Sequence, residues 1–528
     1  MRLTGGAFWL FFAVLLLVYY MVPRRWQKGI LLVASLFFYL CSGWENLILI
    51  VAMAAYAFLG ARLLERCARR ADTCGKDLSG EEKKQYKKRT RRGLKALMWA
   101  VVLPELAVLW LFKYAPSMLS LGLILPMGLS FFTFQVLSYV LDVYRGTLVS
   151  ERSFFRFLLF ACYFPQMVQG PISRYGELTP TLLAPVAFRA ERVLSGAFRA
   201  ILGLAKKLIV ADTALLAIRA VQGEPDAYRG VGVAFLIVAY SVVIYADFTG
   251  GMDIALGCSE MLGVRLCENF DHPFSSVSFK EYWRRWHISM GRWFTDYVFY
   301  PLSVSAPCRA LSRYCRRVLG ESFGKRIPVW MATMLTWLLT GVWHGAGWNF
   351  ALWGVFNGVA ILIAQELQPL HRRLSARYPR YAAGRVHRML CCIGVFSLMG
   401  LFRTLDVYGD VPLTLRMWAS LLDMRAWGMA ADAAFWSSLG LSLGQWIVIA
   451  MGVLLMYLLG RVTRGKQGNA PSKWGQVSAP AWGEAFRARL CGRSMMLAVV
   501  LALLLSAVLI FGRYGYGYDA TQFIYNQF

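Results

Sequence analysis

SMMLAVVLALLLSAVLIFG, residues 494–512, runs for nineteen positions without one charged side chain. A helix needs about 17–25 such residues to cross the hydrocarbon of a bilayer, where every backbone polar group must be satisfied within the segment. Working outward from it, similar apolar runs lie at 7–22, 29–42, 46–61, 96–113, 231–246, 328–343, 349–367, 389–402 and 444–460. Shorter pieces broken by Gly and Pro fill 118–170. The chain is 58% hydrophobic and 16% charged, against about 25% charged in soluble domains. It reads as an all-α polytopic integral membrane protein. The first apolar run is followed by PRRWQK and further spans rather than a small-residue cleavage site, so it reads as a retained helix. The eleven Cys have neither CxxC nor metal-ligand spacing, and we expect reduced thiols, no disulfide framework and no metal.

A net charge of +28 invites a nucleic-acid reading, but the charge is banded between spans. Residues 62–95 hold thirteen Lys/Arg against five acids, and 461–493 hold seven against Glu484 alone. Residues 403–443 hold three against four. Basic and non-basic segments that alternate between spans mark the cytoplasmic and outer sides. The partner of the basic bands is thus the anionic lipid surface, with no nucleic acid implied. Arg24, Arg25 and Lys28 put the first connection inside, hence the N-terminus outside. The 62–95 and 461–493 segments are expected as basic cytoplasmic loops. The 403–443 segment and the tail 513–528 are expected outside.

Five His are present. His371 and His387 sit in a basic stretch and read as solvated surface; His272 reads as a loop residue. His287 lies in EYWRRWHISMGRWFTDYVFYP, residues 281–301, which is too charged for an ordinary span. Trp283, Trp286, Trp293 and Tyr297 recur there at helical spacing, which suits an amphipathic helix at the interface. His344 lies in TGVWHGAGWNF, residues 340–350, where Gly341, Gly345 and Gly347 break an apolar hairpin. An ionisable residue on broken backbone at membrane depth marks a functional site. The alternative is an exposed outer turn, flanked by Trp343 and Trp348 among the headgroups. A histidine near its reference pKa of about 6.5 can take a proton from a hydroxyl and return it to a leaving group. Asp247 and Asp253, in YADFTGGMD, offer a rival reading as the coupling carboxylates of a transporter or flippase.

Five ordered blocks resemble the membrane-bound O-acyltransferase (MBOAT) superfamily, in its bacterial alginate O-acetylation branch. They are LPMGLSFFTFQVLSYVLDVYRG (125–146), YFPQMVQGPISRY (163–175), YADFTGGMDIALGCSEMLG (245–263), ENFDHPFSSVSFKEYWRRWHISMGRWFTDYVFYPL (268–302) and GVWHGAGWNFALWGVFNG (341–358). The core resemblance covers about 120–360. It implies one membrane-embedded domain over 1–528, with about eleven transmembrane helices plus re-entrant and amphipathic helices around a central tunnel. The family's catalytic base falls on His344 and its second histidine on His287. Trp343, Asn349 and Trp286 stand nearest these motifs as candidate substrate-binding residues. YADFTGGMD departs from the usual DFSGYSD, and YPLSVS from the usual IPLGG.

FIYNQF, residues 523–528, fits the F-x-Y-x-x-F ending of this branch at Phe523, Tyr525 and Phe528. The resemblance implies that Tyr525 is a covalent acyl relay, with Phe523 and Phe528 seating the tail. On chemistry alone the same aromatics suit an interface anchor. A phenol, with pKa about 10, leaves more readily than a serine hydroxyl, so an aryl ester would pass its acyl group onward. The implied function is transfer of an acyl group, acetyl first, from a cytoplasmic thioester donor (acetyl-CoA or a carrier protein) toward an extracytoplasmic polysaccharide. An SGNH-type acetyltransferase partner and a bacterial cytoplasmic-membrane location come with the resemblance, as does the absence of a bound cofactor. A D-alanyl transferase of the teichoic-acid type is the nearest alternative.

Overall fold

Each apolar run from 7–22 to 494–512 lies within a helix, apart from at most about two residues at its ends. The computed structural model describes residues 1–115, 125–463 and 494–514. Tyr525, Phe523 and Phe528, with most of the 461–493 and 513–528 segments, lie outside the described residues. Among the described residues the backbone is helix and connection, and one isolated antiparallel bridge joins Phe270 to Trp286. Among the described residues six helices are long and apolar enough to cross a membrane: Trp44–Cys74, Gly80–Lys113, Val231–Met261, Trp348–Glu366, Arg385–Tyr408 and Leu443–Gly460. Three shorter apolar helices are Gly6–Met21, Leu129–Tyr144 and Ala498–Phe511. The fold is that of an all-α polytopic membrane protein.

Several helices outrun their apolar runs, for different reasons. The 62–95 segment, expected as a loop, is helical except at 75–79, because Trp44–Cys74 and Gly80–Lys113 extend through it. Lys, Arg and Glu are good helix formers, and here they are largely solvated, so charge does not end the helix. The Glu81–Lys84 pair at 3.1 Å sits one turn apart on that surface. Val231–Met261 continues past 246 through YADFTGGMD because its carboxylates are neutralised. Lys207 reaches Asp247 at 2.5 Å and Asp212 at 2.9 Å, and Lys206 reaches Asp253 at 2.6 Å. Both lysines open a π-helical turn, Lys206–Ala211, whose wider coil presents adjacent side chains to that helix.

Contacts divide the chain into two units. One comprises Met1–Ala200 and Ile254–Leu266. Its core holds an aromatic group in which Phe38 packs 6.1 Å from Phe8 and 5.6 Å from Phe164, ring centre to ring centre. Gly128 starts the Leu129–Tyr144 helix at φ 74°, and a Cβ there would lie 2.3 Å from the Met167 carbonyl oxygen. Only glycine fits both demands.

The other unit comprises Ile201–Asp253 and Cys267–Phe528, and it contains both His287 and His344. Its tightest packing is the hairpin of Ile327–His344 and Trp348–Glu366. A Cβ on Gly354 would sit 2.3 Å from the Trp337 carbonyl oxygen, and one on Gly341 would sit 2.3 Å from that of Phe350. Small residues let the two backbones meet, as van der Waals association between membrane helices requires. Arg385–Tyr408 takes in the first six residues of the 403–443 segment. Arg403 and Asp406, counted above as loop charges, are therefore helix residues.

Candidate active site

His344 is the last residue of Ile327–His344, and Gly345 continues in extended backbone before Trp348 opens the next helix. A side chain on Gly345 would strike the Phe350 ring at 2.3 Å, so the break closes directly over the histidine. His344 is 5% exposed and Trp348 is 85% exposed. The exposed-turn alternative for His344 is thus excluded, and of the two flanking tryptophans only Trp348 faces outward. Trp353 meets the His344 ring edge-on at 4.9 Å. Asn349 is buried and donates to the Leu405 carbonyl at 3.2 Å, which ties the start of its helix to Arg385–Tyr408.

The 279–297 stretch is not one amphipathic helix. Phe279–Arg285 ends, His287 adopts φ 47°, and Ile288–Phe294 begins on a new axis before a π-helical turn at Thr295–Phe299. The left-handed conformation is uncommon for a non-glycine residue and persists only where the surroundings fix it. Asn269 fixes it. The Asn269 carbonyl accepts from Ile288 N–H at 3.0 Å, and its side-chain oxygen accepts from Ser289 N–H at 2.8 Å. Two donors orphaned at the new helix start are thereby satisfied from a separate segment. With its oxygen so occupied, the Asn269 amide nitrogen donates to His287 Nδ1 at 3.1 Å. The neutral imidazole then carries its proton on Nε2. Burial alone pushes His287 down to about 3. It is therefore neutral at physiological pH and suited to donating a hydrogen bond rather than to taking a proton.

Trp343 links the two histidines: its ring lies 4.9 Å from His344 and 6.4 Å from His287. Trp286, the other tryptophan expected near the site, lines a cavity of about 40 Å³ together with His344, Tyr282, Trp353, Arg403 and Asp406. By that measure the space holds about three waters or a group of similar size. The sequence reading missed Arg403 and Asp406. Arg403 is 7% exposed; its guanidinium carbon stands 4.2 Å above the Trp286 ring, and Nη2 donates to the Tyr282 hydroxyl. Asp406, one turn along, accepts from the Tyr240 hydroxyl. The available signal was an Arg and an Asp three apart at the edge of an apolar run, where buried charge is costly. Asn269 was also missed, although it lies in one of the quoted blocks.

The remaining candidates separate from this cavity. His371 and His387 lie near one another, 5.9 Å apart, on an outward-facing stretch, and His272 contacts Asp271 at 3.1 Å in a connection. Among the described residues no group of three or more His, Cys, Asp or Glu is arranged to hold a metal ion.

Comparison with known proteins gives this geometry a context. The family described as MBOAT, membrane-bound O-acyltransferase, matches residues 148–402, which include both histidines and most of the cavity wall. The probable alginate O-acetylase AlgI of Pseudomonas aeruginosa is 31% identical over 381 residues, covering 68% of this chain and 64% of its own length. The protein of that name from Pseudomonas putida is 30% identical over 376 residues, covering 68% of this chain and 69% of its own. The teichoic acid D-alanyltransferase of Bacillus subtilis is 27% identical over 249 residues, covering 45% and 58%. The chain thus spans slightly under two thirds of the length of the Pseudomonas aeruginosa relative. On these matches, the chain belongs to the membrane-bound O-acyltransferase family.

Proposed function

We propose that this protein is an O-acyltransferase that draws an acyl group from a thioester donor in the cytoplasm and delivers it to a hydroxyl of an extracytoplasmic polysaccharide. The observation that carries the reading is His344, a buried histidine on broken backbone in the wall of a small aromatic cavity. His344 acts as the base. It takes the proton of an attacking hydroxyl, assigned to Tyr525, as the oxygen adds to the thioester carbonyl, and it returns that proton to the departing thiolate. His287, neutral and held by Asn269, serves through its Nε2 proton and by bracing Trp343. The acyl-tyrosine then yields its acyl group to a partner of the SGNH type or to the polymer itself.

Acetyl, carried by acetyl-CoA, is the preferred acyl group. The acetylase relatives match over 68% of the chain and the D-alanyl relative over 45%. The D-alanyl reading keeps its support from that shorter match. The transporter reading loses its basis, because Asp247 and Asp253 are bonded to lysines that neutralise them. The membrane is the bacterial cytoplasmic membrane, with both chain termini on its outer side.

The test is release of free CoA thiol from acetyl-CoA by the purified protein in proteoliposomes. Release by the native protein, lost in His344→Ala, is expected. Release that survives His344→Ala at full rate contradicts the assignment, and release only from a D-alanyl carrier thioester selects the second reading.

A further inference from the structure

An arginine near the end of an apolar helix needs an explanation, since a cation at membrane depth is costly. Arg403 has part of one. Its Nη2 donates to the Tyr282 hydroxyl, and the guanidinium carbon lies 4.2 Å over the Trp286 ring. These contacts join Arg385–Tyr408 to Phe279–Arg285 and would suffice for a structural strut. They do not use Nη1, which is buried and has no hydrogen-bond partner among the described residues. The carboxylate one turn away attracts the guanidinium through space but takes no hydrogen bond from it, since Asp406 accepts from Tyr240. A buried donor left unmade is costly, and a ligand that completes it is one explanation for its presence. Arg403 shares its cavity with His344.

We propose that Arg403 is a catalytic residue whose Nη1–H binds the acyl oxygen and stabilises the oxyanion formed during acyl transfer. This rests on the acyltransferase reading given above. The attacking hydroxyl oxygen bonds to the thioester carbon while its proton passes to His344. The C=O π pair moves onto the acyl oxygen, which accepts the Nη1 hydrogen bond. As that pair returns, the C–S bond breaks and the thiolate leaves with the proton from His344. Arg403 ends the cycle unchanged. The arrangement favours the transition state over the ground state, because the cationic donor meets a full negative charge on the oxyanion but only a carbonyl dipole on the neutral thioester. The Trp286 ring face and the Tyr282 hydroxyl hold the guanidinium in place beforehand, so little reorganisation is needed when charge develops.

The experiment uses the full chain in nanodiscs and follows CoA release from acetyl-CoA. Arg403→Gln should lower kcat by about 10²–10³-fold, the usual effect of deleting one oxyanion donor. KM for acetyl-CoA and the affinity for CoA should stay within about twofold of the native values, as for an interaction made only in the transition state. Arg403→Lys, which keeps a cation but not the fork, should retain more activity than Arg403→Gln and serves as the test if the latter fails to fold. Millimolar guanidinium added to Arg403→Ala should restore part of the rate, which a lost strut would not allow. Native kcat in both Arg403→Gln and Arg403→Lys would overturn the proposal. So would a loss that tracks melting temperature and KM and ignores guanidinium. If the native protein itself releases no CoA from any thioester donor, it is the acyltransferase reading that fails.

Discussion

His287 and His344 are both buried histidines, yet their surroundings suit them to different tasks. His287 accepts a hydrogen bond at Nδ1 from Asn269, and burial holds it down to about 3. A histidine whose folded pKa is depressed is neutral in the folded protein where the unfolded chain would be charged. Between the unfolded value of 6.5 and the folded value of about 3, the unfolded state therefore binds more protons. The stability contributed by His287 is complete above 6.5 and is lost as pH falls toward 3. Acidification from about pH 7 to about pH 5 should lower the melting temperature of the native protein more than that of His287→Gln. Equal acid sensitivity of the two would show that His287 is not held neutral. The same argument removes His287 as the origin of an acid limb in the rate profile. If activity falls between about pH 7 and pH 6, the group titrating is another base, and the limb should persist in His287→Gln.

At the scale of elements, three joints hold the site, each with its own signature. Asn269 caps the Ile288–Phe294 helix from a distant segment and orients His287. Asn269→Ala leaves buried partners unsatisfied and should cost about 1–3 kcal/mol of stability, measurable by thermal unfolding in detergent. The Gly341–Gly354 crossing tolerates no Cβ, since each would lie 2.3 Å from a backbone oxygen. Gly354→Ala should push the helices apart and reduce the yield of folded protein on size-exclusion chromatography. The π-helical turn Lys206–Ala211 carries Lys207, the partner of Asp247 and Asp212. Lys207→Met strands two buried carboxylates and should destabilise by about 3–5 kcal/mol, the range for breaking a buried pair. Adding Asp247→Asn to Lys207→Met should recover part of that loss; an additive loss would mean that the two do not interact.

Across the whole molecule, the membrane character and the helices were legible because hydrocarbon thickness and the absence of interior water leave few options for a run such as 494–512. The family was legible because five blocks keep their order. What escaped were joints made over long sequence distances. No local pattern pairs Asn269 with Ser289, and nothing in 281–297 announces that its tryptophan spacing is interrupted at His287. Charge counting also assigned Arg403 and Asp406 to a loop, because hydropathy ends a span at the first charge while the helix ends later, at Tyr408. His344 was legible as a candidate from glycine and histidine on broken apolar backbone, but its burial had to be observed. The central claim is that His344 drives acyl transfer onto Tyr525. It is tested most directly by incubating the purified protein with radiolabelled acetyl-CoA and mapping the label by peptide analysis. Label at Tyr525 in the native protein, absent in His344→Ala, is the expected result. Acetyl-CoA turnover by native protein with no label at Tyr525, or undiminished label in His344→Ala, would contradict it.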